Sequence, residues 1–399
     1  MQFKDVIGQP VVKKQLTELI RQNRLSHALL FSGREGNGAL ALAMAFSQYI
    51  MCEKLAFRKS ESAAPSLFGE TAAEEKTLPA DACGVCNSCL KAGAMVHPDI
   101  HYSYPVIPKK SGDKPVSTDY VSEWREFIAG MPYGNVYDWL QFIGAENKQG
   151  NITAEECNDI IHKLSLKSFE SDYKILVLWM PEYLGKEGNK LLKLIEEPPP
   201  DTIFILVTEN EGLVLPTIIS RTQLVRIPAL QTADMEAGLT SKGVLKDQAR
   251  QIASVSGGNY RECLQLIQHA GDDWQSLLRE WLNAIMKTGP VAQVKWIEEI
   301  SRIGREKQKQ FLRYFNHLLE QAIKLQVMGG HDFPMEENER DFAVRLNKMA
   351  DIGQQQAIIG ELDRAAFYIE RNAHARMLFH SLTIKLYHIL RDKSVILTN

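Results

Sequence analysis

Residues 27–51 read HALLFSGREGNGALALAMAFSQYIM. The stretch falls into three parts: a short apolar run, a turn carrying three glycines, and an apolar segment of helical character. Such a strand–loop–helix junction is the setting of a phosphate-binding loop, Gly-x-x-x-x-Gly-Lys-[Ser/Thr]. There, backbone amides cradle the phosphates, the lysine reaches the β- and γ-phosphates, and the hydroxyl binds Mg²⁺. Gly33, Gly36 and Gly38 keep the spacing, but Ala39 stands at the lysine position and Leu40 at the hydroxyl position. Glycines permit the backbone conformation of the turn whether or not a phosphate sits in it. The expectation is a retained junction with no ATP bound in it.

Working outward, Pro10 suits the first position of a helix, and Val12, Leu16, Leu19 and Ile20 continue it. KILVLWM (174–180) and TIFILVT (202–208) are continuous apolar runs, the mark of strands buried on both faces, and TQLVRIP (222–228) is a shorter third. Between the first two, GNKLLKLIEE (188–197) reads as a helix stopped by the prolines 198–200. Thr153 and Glu156 have capping-box spacing for a helix over 152–167. Strands alternating with helices predict a parallel α/β sheet. Beyond Pro228 the periodicity is almost wholly helical, broken at Gly257-Gly258. The predicted organisation is an α/β domain over 1–228, a small helical lid over 229–275 and an all-α domain over 276–399. In the last, FLRYFNHLLEQAIKL (311–325) and FHSLTIKLYHIL (379–390) supply apolar faces for helix-to-helix burial. Residues 54–82 read as a loop or insertion. Residues 101–150 carry no chemical motif. Their aromatics (Tyr120, Trp124, Phe127, Tyr133, Tyr137, Trp139, Phe142) suit a packed subdomain.

The chain has 399 residues, 45% hydrophobic and 24% charged, with net charge −3. That balance gives no bulk attraction to nucleic acid or anionic membrane. No apolar run is long enough to span a bilayer, and the N-terminus lacks the apolar core of a signal peptide. A cytoplasmic chain is expected, whose six cysteines are thiols or metal ligands rather than disulfides. Cys83, Cys86 and Cys89 form two successive C-x-x-C steps, C-G-V-C-N-S-C, which lets neighbouring thiolates reach one ion. Cys52 is the natural fourth ligand and His97 the rival. A four-cysteine set would hold a structural zinc with no open position. Cys157 and Cys263 are isolated and read as core residues.

Taken in order, VIGQPVVKKQL, HALLFSG with its glycine loop, the cysteine cluster, KLLKLIEEPPPDTIFILVT and IISRT resemble the AAA+ clamp-loader subunits of bacterial DNA polymerase III. The segment Asn189–Arg221 carries most of that likeness, which covers about residues 1–265. The resemblance implies an AAA+ α/β domain with an embedded zinc module, a helical lid and a C-terminal helical collar that packs in a pentamer. Two kinds of nucleotide-fold subunit occur in the family, ATP-hydrolysing motors (gamma/tau) and the delta-prime kind. With Ala39 and Leu40 in the loop, and Met180-Pro181-Glu182 where an Asp-Glu pair would hold Mg²⁺, this chain resembles the second. The resemblance also implies that Ser220-Arg221 presents an arginine finger to ATP on a neighbouring subunit. Thr222 replaces the usual cysteine there. The implied partners are the gamma/tau and delta subunits, with the sliding clamp and primer-template DNA reached through the complex; no membrane is involved. Glu182 is expected at the surface, Thr208 as an ordinary strand-end threonine and Arg261 as structural as readily as a nucleotide sensor. Alternatives are an active motor in which Lys13 or Lys14 replaces the loop lysine, and a zinc-stabilised scaffold of another complex.

Overall fold

The computed structural model describes residues 1–55, 79–110, 112–145, 148–268, 274–327, 337–370 and 373–391. Most of the expected 54–82 loop, and the segment just before the expected boundary at 275, lie outside the described residues. The chain divides into two compact units, Met1–Gln268 and His269–Asn399.

The first unit is built on five strands: β1 (Ala28–Gly33), β2 (Ile100–Ser103), β3 (Lys174–Trp179), β4 (Thr202–Thr208) and β5 (Gln223–Ile227). Their order is β2-β3-β4-β1-β5, and every pairing is parallel. The register places Ala28 beside Phe204, Leu29 beside Gln223 and Lys174 beside Thr202. Successive side chains leave a strand on opposite faces. Leu29, Phe31, Ile175, Val177, Trp179, Ile203, Ile205 and Val207 therefore enter one core, and Ala28, Leu30, Leu176, Leu178, Phe204 and Leu206 the other. Burial on both faces is why β3 and β4 read as unbroken apolar runs. The glycine loop leaves β1, which lies inside the sheet between β4 and β5.

Helix α1 (Pro10–Arg21) precedes β1, and α2 (Ala39–Met51) follows the glycine loop, all thirteen of its residues buried. After α3 (Asn87–Gly93) and β2 come α4 (Val121–Gly130) and α5 (Val136–Phe142). Trp124, Phe127 and Trp139 interlock there, Trp124 and Trp139 meeting edge to face at 5.3 Å, and join the core that α2 occupies. The aromatics of 120–142 thus pack inward, and only Phe142 keeps substantial exposure.

Helix α6 (Ala154–Ser165) is capped by Thr153, whose hydroxyl accepts from the Glu156 amide at 3.1 Å. The capping box is only half made. Burial turns the Glu156 carboxylate to the Ser117 amide, 2.6 Å away. The predicted helix over 188–197 also differs. Pro181–Leu191 forms 3₁₀ turns with a kink at Gly185, and only α7 (Leu192–Glu196) is α-helical before the prolines. A short α8 (Pro216–Ile219) leads into β5. The helices assigned to a lid, α9 (Thr232–Ser241), α10 (Lys246–Val255) and α11 (Tyr260–Gln268), lie in this first unit. Their Met235, Leu239, Ile252 and Tyr260 belong to the same buried cluster as Phe31 and Phe46.

The second unit is helical: α12 (Trp274–Asn283), a π turn (Ala284–Thr288), α13 (Pro290–Ile300), α14 (Arg305–Val327), α15 (Glu337–Met349), α16 (Ile352–Glu370) and α17 (Ala375–Arg391). Its core centres on Trp281 and Trp296, stacked 4.5 Å apart, with Phe311, Phe315 and Phe379 around them. Leu318, Leu319, Leu382 and Leu386 bury in that same core. Many of the apolar faces expected for helix-to-helix burial are thus satisfied within the unit.

Candidate functional site

The glycine loop keeps its turn and fills its own interior. Gly38 sits in the left-handed region (φ +88°) and begins α2, and a Cβ there would come within 2.8 Å of the Tyr133 ring. At Gly36 (φ +71°) a Cβ would strike Asn259 Oδ1 at 1.8 Å. Both positions therefore demand glycine on conformational and steric grounds. Asn37, buried to 2%, donates from Nδ2 to the Ile227 carbonyl at 2.7 Å. Its Oδ1 accepts from the Ala39 amide at 3.1 Å, so a side chain occupies one of the amides that a helix N-terminus would offer an anion. Gln9 adds a bond from Nε2 to the Asn37 carbonyl at 3.2 Å. Ala39 and Leu40 are themselves buried. What is left between Arg34, Gly38, Leu40, Tyr133, Trp179 and Glu209 is a cavity of about 20 Å³. That is room for about one water, whereas small-molecule sites run to roughly 300 Å³ or more.

The ends of β3 and β4 close this region with carboxylates. Glu182 does not lie at the surface, contrary to its expected place. Its Oε1 accepts from the Thr208 hydroxyl at 3.0 Å and from the Glu209 amide at 3.3 Å. The other oxygen is buried without a hydrogen-bond partner, and burial raises the carboxyl's pKa. Thr208 is fully buried, and its hydroxyl also accepts from the Asn210 amide at 3.1 Å. Glu209 is pushed well above the ordinary carboxylate range by burial and then by the negative charges of Glu35 and Glu182.

Arg261 lies at the start of α11, 3% exposed. Its Nε donates to Asp138 Oδ2 at 2.5 Å and Nη2 to Oδ1 at 2.6 Å, while Nη1 reaches Glu35 Oε1 at 2.8 Å. One guanidinium thereby ties α11 to α5 and to the glycine loop. The Tyr260 amide adds a bond to the Gly36 carbonyl at 3.0 Å. Lys13, one of the lysines considered as a substitute, instead donates to the Val6 carbonyl at 2.5 Å.

Cys52, Cys83, Cys86 and Cys89 converge, their sulfurs all within 4.8 Å of one another. Cys52 follows the last residue of α2, Cys83 and Cys86 lie in the turn that enters α3, and Cys89 lies in the first turn of α3. The Cys83 and Cys89 sulfurs are 3.8 Å apart, about the edge of a tetrahedron with zinc–sulfur bonds near 2.3 Å. Amides point at three of the sulfurs: Cys83 N to Cys52 at 3.4 Å, Cys86 N to Cys83 at 3.3 Å and Cys89 N to Cys86 at 3.4 Å. Burial pushes Cys52 and Cys89 up, whereas at Cys83 the amide bonds from Val85 and Cys86 outweigh burial and bring the thiol down to about 6. This donor set fits a metal ion. His97 is not part of it. Its Nδ1 accepts from the Asp99 amide at 3.2 Å and its Nε2 faces the Ser171 hydroxyl, also at 3.2 Å. Cys157 and Cys263 are buried singly, as expected.

Ser220 and Arg221 follow α8 on the first unit's surface, the Arg221 side chain 31% exposed. Its Nε lies 2.6 Å from Glu196 Oε1, and its Nη1 donates to the Thr217 carbonyl at 2.8 Å and the Ser220 hydroxyl at 3.2 Å. Sequence reasoning missed Asn37, Glu35, Asp138 and Glu209. Asn37 and Glu35 lie inside the loop motif, at positions the motif leaves free. Asp138 comes from α5, far along the chain from the loop, in a segment whose only signal is its aromatics.

Strand order and glycine loop together define a parallel α/β chain with the turn of a phosphate-binding loop. The family model described as DNA polymerase III, delta subunit, matches residues 8–67 and 57–231, over half of the sequence, and the chain belongs to that family. It is 26% identical over 259 residues to DNA polymerase III subunit delta' of Bacillus subtilis, covering 65% of this chain and 59% of that protein. It is 26% identical over 330 residues to the tau subunit of the same organism, covering 80% of this chain and 46% of that protein. The chain thus spans less than two thirds of either relative. A solved DNA polymerase III gamma subunit-related protein of Thermotoga maritima aligns with 95% of this chain and 99% of its own, at 12% identity and a TM-score of 0.32.

Proposed function

We propose that this chain is a delta-prime-like, non-hydrolysing subunit of the replicative clamp loader that lends Arg221 to an ATP site on a neighbouring subunit. The observation that carries the reading is the contrast between a glycine loop filled by Asn37, Tyr133, Ala39 and Leu40 and an arginine left at the surface. Removing lysine, hydroxyl and metal-binding aspartate takes away the groups that neutralise phosphate charge in hydrolysis. The gamma/tau and delta subunits are the partners in this reading, with clamp and primed DNA reached through the assembly in the cytoplasm. Among the described residues, no helix is long and apolar enough to cross a membrane. Titration calorimetry of the purified chain with ATP and Mg²⁺ tests the first half, and no heat at millimolar nucleotide is expected. Micromolar binding with turnover would instead restore the motor reading. Arg221→Ala in the reconstituted loader tests the second half. An arginine finger is worth on the order of 10³ or more in rate, so an unchanged DNA-stimulated ATPase would refute it.

The four cysteines hold zinc in this reading, as a closed structural cross-link between the end of α2 and the α3 turn. Such a site contributes folding free energy and no catalysis. Metal analysis of the purified chain should give one zinc per chain, and Cys83→Ser should lose it along with thermal stability. A scaffold of another complex would retain the zinc but would not co-purify with clamp-loader subunits.

A further inference from the structure

The segment Asn189–Arg221, which carries most of the sequence likeness, ends α7 in a pair of glutamates, Glu196 and Glu197. The structure brings Glu196, the last residue of α7, against Arg221, 25 residues later. One carboxylate oxygen takes both Nε and Nη2 at 2.6 Å. The third guanidinium nitrogen, Nη1, is held by the Thr217 carbonyl and the Ser220 hydroxyl. Every nitrogen of the guanidinium is therefore engaged within its own subunit.

We propose that Glu196 is a positioning residue that parks Arg221 and competes with the neighbour's phosphate for it. The proposal rests on the trans-arginine reading above and adds the gate. Carboxylate and phosphate both suit the guanidinium fork, so an arginine paired with one must leave it, at least in part, to serve the other. Glu196 and Arg221 keep 47% and 31% of their side-chain surface exposed, so solvent screens the pair and its grip is weak. A weak grip suits a gate. A phosphate carrying several charges can outcompete it, whereas partial contact before the ring is properly closed cannot. Thr217 and Ser220 hold Nη1 without charge and so orient the side chain during the exchange. The prolines that follow Glu197 stop α7 there and fix where the carboxylate sits.

The test uses the loader reconstituted with Glu196→Gln, which keeps the shape and removes the charge, beside Arg221→Ala and the double variant. Loss of the competitor should raise the ATPase measured without DNA by roughly two- to fivefold, the range set by the strength of an exposed ion pair. The DNA-stimulated kcat should hold, and the apparent KM for ATP should fall. The double variant should match Arg221→Ala, because the glutamate acts only through the arginine. If Glu196→Gln leaves the DNA-free rate and KM unchanged, or lowers the rate, while Arg221→Ala abolishes stimulation, the gate is wrong and the finger stands. If Arg221→Ala changes nothing, the finger reading fails and takes the gate with it. Thermal melting of each variant confirms that folded protein is being compared.

Discussion

Arg261 and Arg221 occupy the same compact unit and have opposite surroundings. Arg261 is 3% exposed and bonded to Asp138 and Glu35, two carboxylates from distant segments. Arg221 keeps about a third of its side-chain surface, and its charged partner among the described residues, Glu196, is more exposed still. The first guanidinium is spent on holding α11, α5 and the glycine loop together. The second can exchange its partner at small cost, because an exposed pair is worth about 1 kcal/mol or less. Burial is thus what separates an arginine that builds the fold from one that can act on another molecule. The glycine loop belongs with Arg261, since its interior has become packing.

Substituting the buried arginine would sharpen that contrast most. Arg261→Ala removes the buried cation that bridges Asp138 and Glu35, and stability should fall by about 3–5 kcal/mol. Urea denaturation of the purified chain would read this, and the same experiment on Arg221→Ala should show about 1 kcal/mol or less. Equal losses would break the comparison.

A smaller effect is expected from returning the missing residues to the loop. Ala39→Lys with Leu40→Thr places a charge and a hydroxyl at buried positions, and should destabilise the chain by about 1–3 kcal/mol. It should not create a nucleotide site, because Asn37 and Tyr133 still fill the space. Micromolar ATP binding by the double variant in calorimetry would show that the two side chains alone closed the site.

The smallest effect is the pH dependence of the carboxylates around the loop. Glu209 titrates above its unfolded value because burial, Glu35 and Glu182 all disfavour its charged form. A folded-state pKa that is raised means that the folded chain holds the proton more tightly. The resulting stability is present below the unfolded carboxylate value and is lost as pH rises through the folded one. Glu209→Gln should therefore melt higher than the parent chain at pH 8, with the gap closing toward pH 4. A gap independent of pH would mean that the carboxylate is not held protonated.

Much of this was legible in the sequence. Strand β4 and helix α2 have the bounds that their apolar runs implied, because a strand buried on both faces and a helix buried all round leave no exposed position to blur the ends. The cysteine spacing gave three members of the cluster, and the end of α2 gave Cys52 over His97 only once the chain was folded. Glu182 was misplaced. A proline beside a lone glutamate reads as a surface turn, but the 3₁₀ segment that Pro181 begins folds its carboxylate back onto Thr208. Strand β2 and helices α4 and α5 gave no local signal of their place. Their aromatics announce burial without saying against what.

The sequence by itself determined the parallel sheet, the glycine turn, the loss of the loop lysine and hydroxyl, and the Ser-Arg pair, because each is written in residue type at short spacing. Only the tertiary structure decided that Asn37 takes the first amide of α2, that Tyr133 fills the turn, and that Arg261 bridges Glu35 and Asp138. It also set Glu196 beside Arg221. These contacts join residues far apart in the chain or side chains whose direction no motif fixes. They follow from how the packed sheet and helices bring their ends together.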